Sequence, residues 1–318
     1  MLLRRSVIRV GVGLPLFSLG PTHGAGTNAF RGGVLAPNGK VIFVPYGSTN
    51  VGIYDPVANT YTAGPAHGTG ANAFASCVLA PNGKIIFTPN GSTNVGIYDP
   101  VANTYAAGPA HGAGANAFYG SVLSQNGKVV FVPYASIIGI YDPVANTYTS
   151  ALTVQLGTNP FIAGVLAPNG KIIFVPYSST NVGIYDPVAN TYTAGPAHGA
   201  GSTAFQGGVL APNGKIIFIP NGSTNVGIYD PAANTYTAGP THGKGTNAFR
   251  DGVLAPNGKV IFVPYGSTNV GIYDPVANIY TDGPIHGAGT NAFYGGVYVN
   301  NKIVFVPYAS KNVGLLAV

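Results

Sequence analysis

The sequence predicts an all-β fold, a seven-bladed β-propeller of four-stranded antiparallel blades, and three observations carry that prediction. A lysine following an Asn-Gly or Asn-Asn pair recurs at Lys40, Lys84, Lys128, Lys171, Lys215, Lys259 and Lys302, at spacings of 44, 44, 43, 44, 44 and 43 residues. Turn-forming residues divide each unit into four short apolar stretches. The two ends of the chain also complement each other, because the seventh unit stops after its third stretch and the N-terminal residues supply a match for the fourth. A fixed period of this length marks a repeat architecture in which neighbouring units bury each other's apolar faces.

The first unit shows how each strand is bounded. Its innermost strand is expected at 30–36 and its second at 40–46, joined through Asn38-Gly39, residues that supply the positive φ of a primed hairpin turn at low cost. The Gly-Ser-Thr-Asn segment 47–50 leads to a third strand at 51–55, and Pro56-Val57-Ala58-Asn59 to an outer strand at 60–64. The second strand is apolar without alternation, as expected when both of its faces are covered. Repeating four such strands seven times points to a ring, which leaves only short outer edges exposed. Residues 16–24 align with 60–68, so 16–19 are expected to form the outer strand of a last blade otherwise built from 293–318. That leaves a basic, apolar arm at 1–13 and a single propeller domain at 14–318.

Composition agrees with many turns and many short strands: 47 Gly, 26 Pro and 20 Tyr against 7% charged residues. One cysteine, Cys77, excludes a disulfide framework and any cysteine-based metal site. The net charge of +6 raises the question of nucleic acid, but six of the repeat lysines are each followed about fifteen residues later by an aspartate, at Asp55, Asp99, Asp142, Asp186, Asp230 and Asp274. The remaining charges, Arg4, Arg5, Arg9, Arg31, Lys244, Arg250, Lys302 and Lys311 against Asp251 and Asp282, are scattered, so no nucleic-acid partner is expected. The N-terminus has some look of a secretory signal, yet Arg9 interrupts its apolar run and the small-residue cleavage pattern is poor. No run approaches the roughly 18 apolar residues of a transmembrane helix.

Gly83-Lys84-Ile85-Ile86, Gly96-Ile97-Tyr98-Asp99-Pro100 and Asn103-Thr104-Tyr105 resemble the strand motifs of kelch and galactose-oxidase-like propeller repeats. The Gly-Gly pair after the second strand and the tryptophan of the outer strand that mark that family are absent here. The resemblance spans all seven units and implies the fold more than an activity, because propellers serve enzymes, lectins and docking platforms alike.

Repeated polar residues are expected to be structural. The six aspartates of the Tyr-Asp-Pro motif suit a turn and a cross-strand pairing with the repeat lysine, and the chain has no Glu to join them in paired-carboxylate chemistry. His23, His67, His111, His198, His242 and His286 each occupy the loop leading into the next blade, too far apart around a ring to share one metal, and are expected to bond local backbone. No nucleophile constellation is evident. Neither catalysis nor a metal or cofactor is expected.

Variation among the copies is the informative pattern. Directly after the repeated Phe stand Arg31, Ala75, Tyr119, Ile162, Gln206, Arg250 and Tyr294, near the expected channel mouth, and the next position also varies, with Ser76 and Asp251 replacing Gly. After the Pro of the second strand stand Tyr46, Tyr134, Tyr177, Tyr265 and Tyr308, but Asn90 and Asn221 in two copies. A ring that is individual only here has what recognition of an asymmetric ligand requires, and drift at a tolerant, solvated position explains the same pattern. The side chains singled out as ligand-binding are Arg31, Tyr119, Gln206, Arg250 and Tyr294, through stacking and charged hydrogen bonds, together with the five tyrosines of the second set, through stacking on sugars. The expected function is a non-catalytic scaffold for binding or assembly with protein partners, in a virion or another extracellular particle. The alternative is a lectin with shallow glycan sites repeated around the ring.

Overall fold

The computed structural model describes residues 15–154 and 157–318, so the predicted arm lies outside the described residues. A short strand β1 (Phe17–Thr22) precedes the first blade, made of β2 (Phe30–Leu35), β3 (Val41–Pro45), β4 (Asn50–Asp55) and β5 (Thr60–Ala66). Five further blades repeat this order as β6 to β25 between Phe74 and Ile285, and β26 (Phe293–Val299), β27 (Lys302–Pro307) and β28 (Asn312–Ala317) begin the last. The described strands form seven four-stranded antiparallel sheets, and the last has the order β1-β28-β27-β26. The chain is therefore a seven-bladed propeller closed by its own N-terminal strand, as the sequence predicts. Phe17 pairs with Leu316 and Thr22 with Asn312, so the closing strand extends beyond the predicted 16–19.

Local chemistry explains the turns. The loop between β2 and β3 differs from the primed turn expected: Gly39 N donates to Ala36 O at 2.9 Å, Ala36 N donates to Lys40 O at 2.8 Å, and only Gly39 has positive φ, at 78°. That is a three-residue hairpin, a type I turn closed by a left-handed glycine. In the seventh blade Asn300 and Asn301 both take positive φ, and the primed turn does form. In all six complete copies the aspartate ending the third strand caps the following turn: Asp55 Oδ1 accepts from Val57 N at 2.9 Å and Ala58 N at 3.0 Å. Those backbone bonds hold the Asp55 carboxyl below the usual carboxylate range. The expected lysine pairing adds to this within 4 Å at Lys40–Asp55, Lys128–Asp142 and Lys259–Asp274.

The core lies between blades. Among the described residues the buried ones fall into seven clusters, each joining the aromatic face of one blade to the aliphatic face of its neighbour, as where Phe30, Phe43 and Tyr54 meet Val297, Val306 and Leu315. The strand β3 serves two junctions at once, Val41 and Phe43 facing one way and Ile42 and Val44 the other, which is why its sequence does not alternate. Glycine in the third strand makes room for this stack, since a Cβ on Gly52 would lie 2.9 Å from both the Phe30 ring and Phe43 Cβ.

Candidate recognition site at the channel mouth

The inner strands converge on the axis, and a backbone irregularity aims their variable residues there. Between β2 and β3 the register shifts from Phe30↔Pro45 to Gly33↔Phe43, leaving Arg31 and Gly32 in a bulge. Comparable shifts follow the repeated Phe in the other blades. Bulges re-aim side chains in this way at barrel rims and sites. Residues 31, 75, 119, 162, 206, 250 and 294 all line one axial cavity of about 90 Å³. The residue after each of them is mostly Gly because neighbouring inner strands almost touch: a Cβ on Gly120 would lie 2.8 Å from Ile162 O.

The two variable sets, separate in sequence, form a single cluster. The hydroxyls of Tyr119 and Tyr294, 175 residues apart, are 2.6 Å from each other. Gln206 Nε2 donates to the Tyr294 hydroxyl at 3.0 Å, and Gln206 Oε1 accepts from Arg250 Nη1 at 2.8 Å. The tyrosines of the second set extend the cluster outward: Tyr134 packs on Tyr119 with ring centroids 4.9 Å apart and on Tyr177 at 6.4 Å, and Tyr308 packs on Tyr294, Tyr265 and Tyr46. All ten side chains singled out from sequence thus belong to one aromatic and cationic dish, rather than to separate sites spaced around the ring. Tyr46, Tyr134, Tyr177, Tyr265 and Tyr308 are half-buried in it.

Two arginines provide the charge. Arg31 Cζ sits 3.4 Å from the Tyr46 ring centroid, and Arg250 Cζ 4.0 Å from that of Tyr265, both within reach of cation–π attraction. Burial opposes the charge on Arg31, the four tyrosines around it favour it, and the balance raises its pKa. Burial also pushes the Tyr119 hydroxyl far above its ordinary value, so it acts as a neutral hydrogen-bonding group.

Two participants were missing from the sequence-derived set. Asn221 Oδ1 accepts from Arg250 Nη1 at 2.9 Å while its Nδ2 donates to Thr203 O at 3.0 Å. Its signal was the loss of the repeated Tyr at that position. Asp251, the aspartate in place of a channel glycine, lines the cavity; burial raises its pKa to about 6 against hydrogen bonds from the Gly252 and Gly296 amides. Gly252 N donates to its Oδ1 at 2.8 Å.

The repeated histidines are placed quite differently. His67 Nε2 lies 2.8 Å from Ser48 O, its Nδ1 faces Thr69 N at 3.3 Å, and its ring stands edge-on to Phe74 and Tyr105 of the next blade. The same backbone carbonyl contact recurs for His23, His111, His198, His242 and His286 at 2.7 to 2.9 Å. A ring that donates at Nε2 and accepts at Nδ1 is neutral. Among the described residues no group of three or more His, Cys, Asp or Glu gathers in metal-binding range, and no helix is long and apolar enough to cross a membrane. A cavity of about 420 Å³ opens at the opposite end of the strands beside Lys215 and Pro275, residues repeated in almost every copy, and has none of the individuality of the mouth.

No protein-family model and no curated protein matches the chain. Solved structures do match. The chain is similar to a catalytically inactive virginiamycin B lyase from Staphylococcus aureus with quinupristin, at TM-score 0.82 and 14% identity, covering 95% of this chain and 100% of that one. A streptogramin B lyase gives TM-score 0.81 at 15% identity over 95% and 97% of the two chains. The extracellular domain of a one component system protein from B. thetaiotaomicron gives 0.71 at 14% over 95% of this chain and 40% of that one. At these identities the likeness shows the propeller fold and nothing of the chemistry.

Proposed function

We propose that this protein is a non-catalytic binding propeller that recognises its ligand at the channel mouth. One observation carries the reading: positions that differ among otherwise matching blades converge in one hydrogen-bonded cluster linking Tyr119, Tyr294, Gln206, Arg250 and Asn221. The reactions of the lyases it resembles belong to those proteins. Binding of the intact chain to arrayed glycans and peptides tests the reading. Hits are expected to vanish when Gln206→Ala and Tyr294→Phe are combined, and hits that survive this double change would place recognition elsewhere. Kelch-type membership and presentation of the site in a larger assembly, a virion or another extracellular particle, complete the proposal. Native protein should then sediment with a large particle, and finding it free in solution overturns the assembly role.

A second reading, the lectin, has an observation of its own. The buried hydroxyls of Tyr61, Tyr105, Tyr192 and Tyr236, equivalent in four blades, have no partner among the described residues. Tyr61 and Tyr236 line matching polar grooves of about 330 and 290 Å³ beside His23 and His198. In the sixth blade the equivalent Tyr280 donates to Asp282, which pairs with Lys244. Glycan binding at several equivalents per chain, weakened by Tyr61→Phe, is the expected signature; a blank glycan array removes it.

A further inference from the structure

We propose that the channel mouth takes a sugar acid, its carboxylate held by Arg31 and Arg250 and its ring lying on the tyrosine platform. This rests on the mouth being the recognition site. The Nε atoms of Arg31 and Arg250 are buried without a partner, and no hydrogen-bond acceptor among the described residues meets the Arg31 guanidinium. Arg250 bonds only the neutral side-chain oxygens of Gln206, Asn221 and Asn247.

No internal carboxylate fills the gap. All eight acidic side chains of the chain are aspartates within the described residues. Six cap outer turns, Asp282 pairs with Lys244, and Asp251 bonds the amide of Gly252 rather than either guanidinium. Both guanidinium carbons lie within 6 Å of the Tyr294 ring, so the two cations share one small region. Burying a cation without a counter-charge is costly, and a guanidinium answers that cost best by binding a planar carboxylate through two parallel hydrogen bonds.

The surroundings select the rest of the ligand. A cavity of about 90 Å³ admits a carboxylate-sized group but no drug-sized body, which must rest on the dish. That dish offers half-buried tyrosine faces for stacking and tyrosine hydroxyls for hydrogen bonds, and the cavity below it has Ile162 as its one aliphatic side chain beyond alanine. A peptide C-terminus would find no apolar pocket for its last side chain, whereas a pyranose ring needs only a flat aromatic face and hydrogen-bonding partners.

Calorimetric titration of the full chain with glucuronate, its methyl ester and inorganic sulfate decides the matter. The proposal expects glucuronate to bind at one equivalent per chain, the neutral ester at least ten-fold more weakly, and Arg31→Gln and Arg250→Gln each to lose at least ten-fold with the melting temperature kept near that of the unaltered chain. Rescue of part of the affinity in Arg31→Lys would place the effect in the charge. Equal binding of acid and ester, unchanged affinity in both arginine variants, sulfate binding as tightly as glucuronate, several equivalents per chain, or no binding would each overturn it. If the acid proposal fails while array hits still vanish with Gln206→Ala and Tyr294→Phe combined, the mouth remains the recognition site and only the ligand class is wrong.

Discussion

At the blade junctions each repeated residue meets the same partners in copy after copy, whereas at the channel mouth seven equivalent positions meet one another. His67 sees Ser48 O, Phe74 and Tyr105, and His242 sees their counterparts Ser223 O, Phe249 and Tyr280. Near the axis, however, Tyr119 of one blade touches Tyr294 of another that is far away in sequence. Identity among copies is compatible with the first arrangement, because each junction is a local pairing of two neighbours. It is incompatible with the second, since seven arginines or seven tyrosines pointing at one small cavity would repel or overfill it. Individuality at the mouth is therefore a packing requirement as well as an opportunity for recognition.

Changes at the two regions should differ in size. Truncating Phe87→Ala, fully buried in a junction, is expected to cost about 3–5 kcal/mol in urea unfolding. A comparable loss from a mouth variant would erase that difference between the two regions. His67→Ala should cost about 1–3 kcal/mol, because it leaves Ser48 O without its imidazole donor in a buried loop. The junctions should also be acid-sensitive: burial lowers the pKa of His23, His242 and His286, so the stability they lend is present above about pH 6.5 and is lost as protons bind the unfolded chain preferentially below it. Thermal melts between pH 7.5 and 5 check this.

At the mouth the sign reverses. The Asp251 carboxyl titrates at about 6 in the folded chain, above its ordinary value, so its contribution is most favourable at low pH and declines as pH rises through 6. Asp251→Asn keeps the oxygen that accepts from Gly252 and should stabilise the protein by about 1–2 kcal/mol at pH 8, with little gain at pH 4. An equal gain at both values would mean that its ionisation does not matter. The smallest effect is expected for Tyr119→Phe, within about 1 kcal/mol in unfolding, because the Tyr294 hydroxyl keeps its bond from Gln206.

Much of this molecule is legible in one dimension. The lysine period, the unalternating second strand and the strandless end of the seventh unit determined the number of blades, their order and the closure by residues near Phe17, because a repeat states its own architecture each time it recurs. The aspartate turns and the histidine loops were equally readable, since their partners lie within a few residues or in the adjoining turn. The variable positions could be named from sequence, down to Arg31, Tyr119, Gln206, Arg250 and Tyr294, by comparing copies. Only the tertiary structure decided that they and the five tyrosines form one cluster, that Asn221 and Asp251 join it, and that neither arginine has a carboxylate partner. Those facts depend on where a bulged backbone aims each side chain near the axis and on contacts between distant blades, and no spacing along the chain encodes either one.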